Sequence, residues 1–127
     1  MPINSPKILV VDDEPVSLML LDTILRRSNF DVTTAASAQD ALNLLNNEAI
    51  DLMILDLLMP DMDGLTLLKH LRGETKFEKL PIIVFTAVNQ SRIREEAFQK
   101  GATTFLTKPV SSRELTRVVS KHLHLPA

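Results

Sequence analysis

Leu52-Met53-Ile54-Leu55-Asp56 decides the fold, together with the segment Leu57-Leu58-Met59-Pro60-Asp61-Met62-Asp63-Gly64 that follows it. Four apolar residues deliver one carboxylate, and a proline, two acids and a glycine then break the run. An apolar run this short, bounded by turn residues, suits a strand buried on both faces of a sheet. Asp56 then stands where a central strand emerges, within reach of the neighbouring loops.

The flanking sequence repeats this pattern. Upstream, Lys7-Ile8-Leu9-Val10-Val11 reads as a buried strand that ends in Asp12-Asp13. Glu14-Pro15 opens a helix to about Ser28, since proline at the first helical position has no N–H to leave unpaired. Val16, Leu20, Leu21 and Ile24 are expected to pack on the sheet, with Leu18 and Met19 flanking that stripe. Asp31 to Ala35 forms a weaker strand suited to an edge. Ser37, with Asp40 three residues on, caps a helix whose apolar side is Ala41, Leu44 and Leu45.

Downstream, a helix from about Gly64 to Arg72 carries Leu65, Leu68 and Leu71 and ends at Gly73, and residues 73–80 read as a polar connection. Residues 81–86 make a fourth strand ending in Thr86. A helix over about 90–100 stops at Gly101, a residue suited to a left-handed cap. Thr104 to Thr107 is a short fifth strand ending at Lys108-Pro109. Ser111 and Glu114 cap a last helix with Leu115, Val118, Val119 and Leu123 on its apolar side. Five strands alternating with five helices predict a parallel sheet covered on both faces, with function at the carboxyl ends of its strands. Those ends carry Asp12-Asp13, Asp56, Thr86 and Lys108.

If the first and third strands are neighbours, Asp12, Asp13 and Asp56 converge. Two carboxylates about 4 Å apart repel by roughly 4 kcal/mol at an effective dielectric near 20. A divalent cation removes the conflict, and oxygen donors without His or Cys favour Mg²⁺ over Zn²⁺. Lys108 offers an ammonium and Thr86 a hydroxyl to offset charge that grows in phosphoryl transfer. Asp56 is therefore the candidate phosphoryl acceptor. Asp61 and Asp63 flank a turn and read as turn and cap residues, and His70, His122 and His124 read as solvated surface.

Composition narrows the alternatives. At 127 residues, 45% hydrophobic and 24% charged, the chain has the makeup of one globular domain with a real core. It contains no cysteine, which excludes disulfides and thiolate metal sites. No apolar run approaches the roughly 18–20 residues that cross a membrane, and residues 1–7 lack a signal peptide's apolar stretch. A cytoplasmic protein without membrane contact is expected. Residues 1–68 hold eleven acids and three bases, and residues 69–121 hold five acids and eleven bases. The bases are scattered without a consecutive tract, so direct nucleic-acid binding is not expected.

Asp12-Asp13, Asp56 with Met59-Pro60-x-Met62-Asp63-Gly64, Thr86-Ala87 and Lys108-Pro109 together resemble the receiver domain of bacterial response regulators (the CheY-like superfamily). The likeness covers about residues 6–123 of what reads as a single receiver domain over 1–127. It implies a flavodoxin-like (βα)5 sandwich with strand order 2-1-3-4-5. It implies that Asp56 takes phosphate from a phosphohistidine on a sensor histidine kinase or histidine phosphotransfer protein. Asp13 and Asp56 would ligate Mg²⁺ directly with the Leu58 backbone carbonyl, and Asp12 would act through water. Thr86 and Lys108 would hold the phosphoryl oxygens, and Phe105 matches the family's switch aromatic. The Lys108–Pro109 bond is expected cis. Leu18 and Met19, on the helix that borders the site, are candidates for partner docking. An output domain or a downstream protein would read the switch.

Leu58 and Val88, two positions after Asp56 and Thr86, stand where the family often has polar residues. That departure predicts slow loss of phosphate. Two other readings compete. A phosphatase with an aspartyl nucleophile generally needs a second Asp two residues on, where this chain has Leu58. The expectation is therefore a phosphoacceptor and not a turnover enzyme. A flavin-binding module would need a phosphate-cradling loop, and Asp12-Asp13-Glu14-Pro15 would repel phosphate.

Overall fold

The computed structural model describes residues 5–59 and 61–124. In chain order it builds β1 (Lys7–Val11), α1 (Pro15–Arg27), β2 (Asp31–Ala35), α2 (Ala38–Asn47), β3 (Leu52–Leu55), α3 (Gly64–Arg72), β4 (Ile82–Thr86), α4 (Ser91–Gln99), β5 (Thr104–Thr107) and α5 (Ser112–His122). All strand pairings are parallel, in the order β2-β1-β3-β4-β5. The alternation of elements predicts the parallel sheet, and the flavodoxin-like strand order is the one that the family resemblance implies. Pro60 of the turn after β3 lies outside the described residues, as do residues 1–4 and 125–127.

Alternate residues of the central strands enter two separate cores, as the two-residue period of a strand requires. Ile8, Val10, Leu52, Ile54, Ile83 and Phe85 face α1 and α5. Leu9, Val11, Met53, Leu55, Ile82 and Val84 face α2, α3 and α4. With both faces covered, β1, β3 and β4 have no solvated side, which is why their sequences run apolar without alternation.

Several helix termini follow the predicted chemistry. The Ser37 hydroxyl accepts the Asp40 N–H, Asp63 accepts the Thr66 N–H, and Ser111 accepts the Glu114 N–H. Gly101 adopts φ 109°, the left-handed cap that ends the α4 turn. The Lys108–Pro109 bond is cis.

Three expectations need correction. The buried face of α1 is Leu21 and Leu25, with Leu18 and Ile24 partly buried beside them. Val16 and Leu20, expected on the sheet, are 75% and 58% exposed. Apolar residues sit all around this helix, so periodicity alone left its rotation undetermined. In α3, Leu67 joins Leu68 and Leu71 in the core, while Leu65 is only partly buried. The connection 73–80 is more than polar chain: Thr75–Phe77 forms a 3₁₀ turn that buries Phe77, and Leu80 follows it into the core.

Candidate functional site

Register sets the site. Val11 of β1 pairs with Leu55 of β3, so the next residues, Asp12 and Asp56, leave adjacent strands side by side. The order in which successive strands are added reverses at this point, since β1 has β2 on one flank and β3 on the other. Such switch points open a crevice beyond the carboxyl ends of the strands. Thr86 and Thr107 end β4 and β5 in register, which puts Lys108 just beyond them. Backbone bonds fix the three exits: the N–H groups of Asp12, Asp56 and Lys108 donate to Ala35, Val11 and Thr86 carbonyls at 3.1, 2.9 and 2.8 Å.

Lys108 is the hub of the site. Its Nζ donates to Asp12 Oδ2 at 2.6 Å and to Asp56 Oδ2 at 3.0 Å. Side-chain exposure is 17% for the lysine, 2% for Asp12 and 8% for Asp56. The other carboxylate oxygens are also engaged, Asp12 Oδ1 by the Glu14 N–H and Asp56 Oδ1 by the Leu58 N–H. Burial alone would lower the lysine's pKa, but its hydrogen bonds to Asp12 and Asp56 and their charges outweigh that and raise it above the ordinary 10.5. The repulsion expected between the two acids is thus offset within the chain by an ammonium.

Ser17 Oγ, on the first turn of α1, lies 3.4 Å from the same Nζ, and the Phe85 ring centroid lies 5.6 Å from it. Neither residue carries a sequence signal that separates it from ordinary helix or strand, and both were missed. Thr86 is fully buried, and its hydroxyl accepts the Val88 N–H at 3.4 Å. Asp13 is exposed and has no hydrogen bond or ion pair among the described residues. Phe105 is buried on the α4 side of β5, with the Arg94 guanidinium 5.7 Å from its ring centroid.

The acids of the following turn are structural, as read from the sequence, and Asp61 reaches further than expected. It accepts the Ala38 and Gln39 N–H groups at the start of α2. Those bonds hold its carboxyl below the usual range. Its contribution to stability is therefore present above the ordinary carboxylate pKa and is lost as pH falls through the lowered value. Gly64 is where the turn returns against the strand end. A Cβ there would stand 2.6 Å from Leu57 Cα and 2.8 Å from the Asp56 carbonyl oxygen. Gly64→Ala must displace backbone next to Asp56 and is expected to cost about 1–3 kcal/mol in chemical denaturation. Wild-type stability for this variant would show that the turn is loose.

The fold family implies a divalent cation, and the donors here suit one. Asp12, Asp13, Asp56 and the Leu58 carbonyl are hard oxygen groups at one sheet edge. Mg²⁺ is held through one or two carboxylates with water completing its shell. Among the described residues no three acidic or imidazole side chains are already gathered as a cage. The positive charge between Asp12 and Asp56 in this structure is Lys108.

A parallel α/β sheet with acids and a lysine gathered at its switch point defines a narrow class of protein. Residues 8–120 match the model of the response regulator receiver domain, and the chain belongs to that family. It is 41% identical over 115 residues to an uncharacterized 14.6 kDa protein in the sodA1 3' region of Leptolyngbya boryana, covering 91% of this chain and 88% of that one. It is 34% identical over 121 residues to the two-component response regulator ORR5 of Oryza sativa subsp. japonica, covering 94% and 90%. The crystal structure of the signal receiver domain of a signal transduction histidine kinase from Syntrophus aciditrophicus superposes with a TM-score of 0.88 at 30% identity, covering 94% of this chain and 91% of that one. The chain is a receiver domain of two-component signalling, a family of phosphoacceptor modules that generally uses Mg²⁺. No helix among the described residues is long and apolar enough to cross a membrane.

Proposed function

We propose that Asp56 accepts a phosphoryl group from a phosphohistidine on a sensor histidine kinase or histidine phosphotransfer protein. The observation that carries this reading is the Lys108 ammonium shared between Asp12 and Asp56 at 2.6 and 3.0 Å. An Asp56 oxygen forms the new O–P bond, the donor's N–P bond breaks, and its imidazole leaves. Lys108 is already in place to pair with phosphoryl oxygen, so little reorganisation is needed as charge develops there. Asp13, Asp56 and the Leu58 carbonyl would hold Mg²⁺ directly, with Asp12 acting through water. When bound, the ion supplies charge neutralisation for the transferring group.

Phosphorylation places about −1.5 to −2 charges and three strong acceptors at one strand end. Thr86 is the switch residue: its hydroxyl exchanges the Val88 N–H for a phosphoryl oxygen. The space it leaves favours Phe105 in its inward position and shifts a pre-existing equilibrium toward the state that an output domain or downstream protein reads.

The test uses wild-type protein, acetyl phosphate and Mg²⁺, read by intact mass with peptide mapping. One phosphoryl group on Asp56 is expected, and an unchanged mass would overturn the proposal.

Leu58 and Val88 set the lifetime of the product. Leu58 is 56% exposed beside Asp56, and Val88 is half-buried beside Thr86. Neither side chain can orient an attacking water by hydrogen bonding. Loss of phosphate is expected over minutes to hours, and Leu58→Gln should speed it by roughly tenfold, below the usual range for a fully positioned general acid or base. A half-life of seconds in the wild type would contradict this assignment.

The donor's landing surface is placed on α1, where the sequence singles out Leu18 and Met19. Leu18 is partly buried against the core, so the exposed large apolar side chains of the first two turns of α1 are Val16, Met19 and Leu20, at 75%, 69% and 58% exposure. Met19→Asp should slow transfer from a phosphohistidine donor and leave labelling by acetyl phosphate unchanged. Equal donor rates would remove Met19 from the contact.

A further inference from the structure

Phe105 of β5 stands opposite Val84 of β4, and Val84 shares a strand face with Thr86. The ring joins the core under α4, with Ala97 buried and Ile93 partly buried around it. Helix α4 is lightly anchored there: Ala97 is its one buried residue, and Gln90 at its start makes no side-chain cap bond. Arg94 lies over the ring from this helix. Its guanidinium is 5.7 Å from the Phe105 centroid and 5.6 Å from that of Phe98, one turn further along α4. Phe98 is 42% exposed and Phe105 5%, so one cation spans a surface ring and a buried one. The Arg94 side chain has no hydrogen bond or ion pair among the described residues, and Glu96, two positions on, is paired with Lys100 at 3.5 Å. The two rings are what holds this guanidinium.

We infer that Arg94 is a positioning residue for the switch: its guanidinium holds Phe105 in the buried position and biases the chain toward the state that phosphorylation favours. The inference rests on the phosphoacceptor reading above, which pairs an inward Phe105 with a phosphorylated Asp56. The negative face of the ring attracts the cation, and the ring meets Arg94 in this geometry while it lies under α4. Phe105 is buried here while the Thr86 hydroxyl accepts the Val88 N–H, so burial of the ring does not wait on movement of Thr86. Arg94 supplies that hold from outside the core. By linkage, whatever favours the buried ring favours a phosphoryl group at Asp56 to the same degree. One exposed contact of this kind corresponds to a bias of roughly two- to fivefold.

The experiment compares the wild type with Arg94→Met, Arg94→Lys and Arg92→Met. Methionine keeps a long stem over the ring without its charge, and lysine keeps the charge. Arg92 has no ring contact or ion pair among the described residues, so its variant controls for the loss of one positive charge. Aromatic NMR follows the Phe105 ring, assigned against Phe105→Leu, and broadening by a neutral gadolinium chelate reports its exposure. Titration with beryllium fluoride and Mg²⁺, a tetrahedral stand-in for the phosphoryl group, gives the affinity of the site. Arg94→Met should expose the ring and weaken beryllium fluoride binding roughly two- to fivefold. Arg94→Lys should fall between Arg94→Met and the wild type, and Arg92→Met should match the wild type. An unchanged ring in Arg94→Met, or equal weakening in Arg92→Met, would overturn the assignment. A wild type that binds no beryllium fluoride would count against the phosphoacceptor reading instead, and the gadolinium measurement would still decide whether Arg94 holds Phe105.

Discussion

Asp56→Asn is expected to gain no phosphoryl group from acetyl phosphate and Mg²⁺ under conditions in which the wild type gains one. The amide oxygen carries no negative charge and is a poor nucleophile toward phosphorus. Its shape is nevertheless almost that of the carboxylate, and its one oxygen keeps an acceptor for one of the two donors, the Leu58 N–H or the Lys108 ammonium, while an NH2 group replaces the other oxygen. Lys108 also retains its shorter bond to Asp12 at 2.6 Å, which leaves one acid balancing one base. The variant should therefore fold, with a melting temperature within a few degrees of the wild type, and fail only in chemistry. Intact mass and a thermal melt on the same sample separate these outcomes. Labelling that survives the substitution and maps to Asp13 would transfer the acceptor role to that residue. Labelling lost together with the cooperative melt would make the result structural.

The sequence made the sheet legible because its strands are buried on both faces. β1, β3 and β4 read as unbroken apolar runs, and each ends in the polar residue that the site uses. Parallel register then does the assembly, because Val11 opposite Leu55 leaves Asp12 and Asp56 no other place to go. Helix α1 was less legible, since its apolar residues occupy more than one face and rotation is decided by which of them fit the space over β1 and β3. Leu21 and Leu25 fit it, and Val16 and Leu20 remain outside. The arrangement of charge at the site was not legible either. Sequence placed acids at neighbouring strand ends and inferred that a cation must separate them. Only the side-chain geometry shows Lys108 reaching between them from β5's end, two strands away from β3, with Ser17 at its side. Such contacts join residues 91 and 96 positions apart and leave no local trace in composition or periodicity.

Lys108→Ala should be the most destabilising single change at this edge, by about 3–5 kcal/mol in denaturant without Mg²⁺. Removing the ammonium leaves two carboxylates, with 2% and 8% side-chain exposure, facing one another without a counter-charge. Solvent screens these groups little, so most of the penalty for an unpaired buried charge applies. Added Mg²⁺ should recover part of the loss and should stabilise the variant more than the wild type, because the ion then relieves a larger conflict. Lys108→Ala/Asp12→Asn should regain stability relative to Lys108→Ala alone, as expected of coupled neighbours. The pH dependence has a definite sign. The lysine's pKa is raised on folding, so its stabilising effect is complete below its ordinary value of 10.5 and disappears as pH climbs through the raised value. The wild type should lose stability in that alkaline window, and Lys108→Ala should lack this component of the loss. Equal stability of the two proteins at neutral pH without Mg²⁺ would mean that Asp12 and Asp56 are balanced by something other than Lys108.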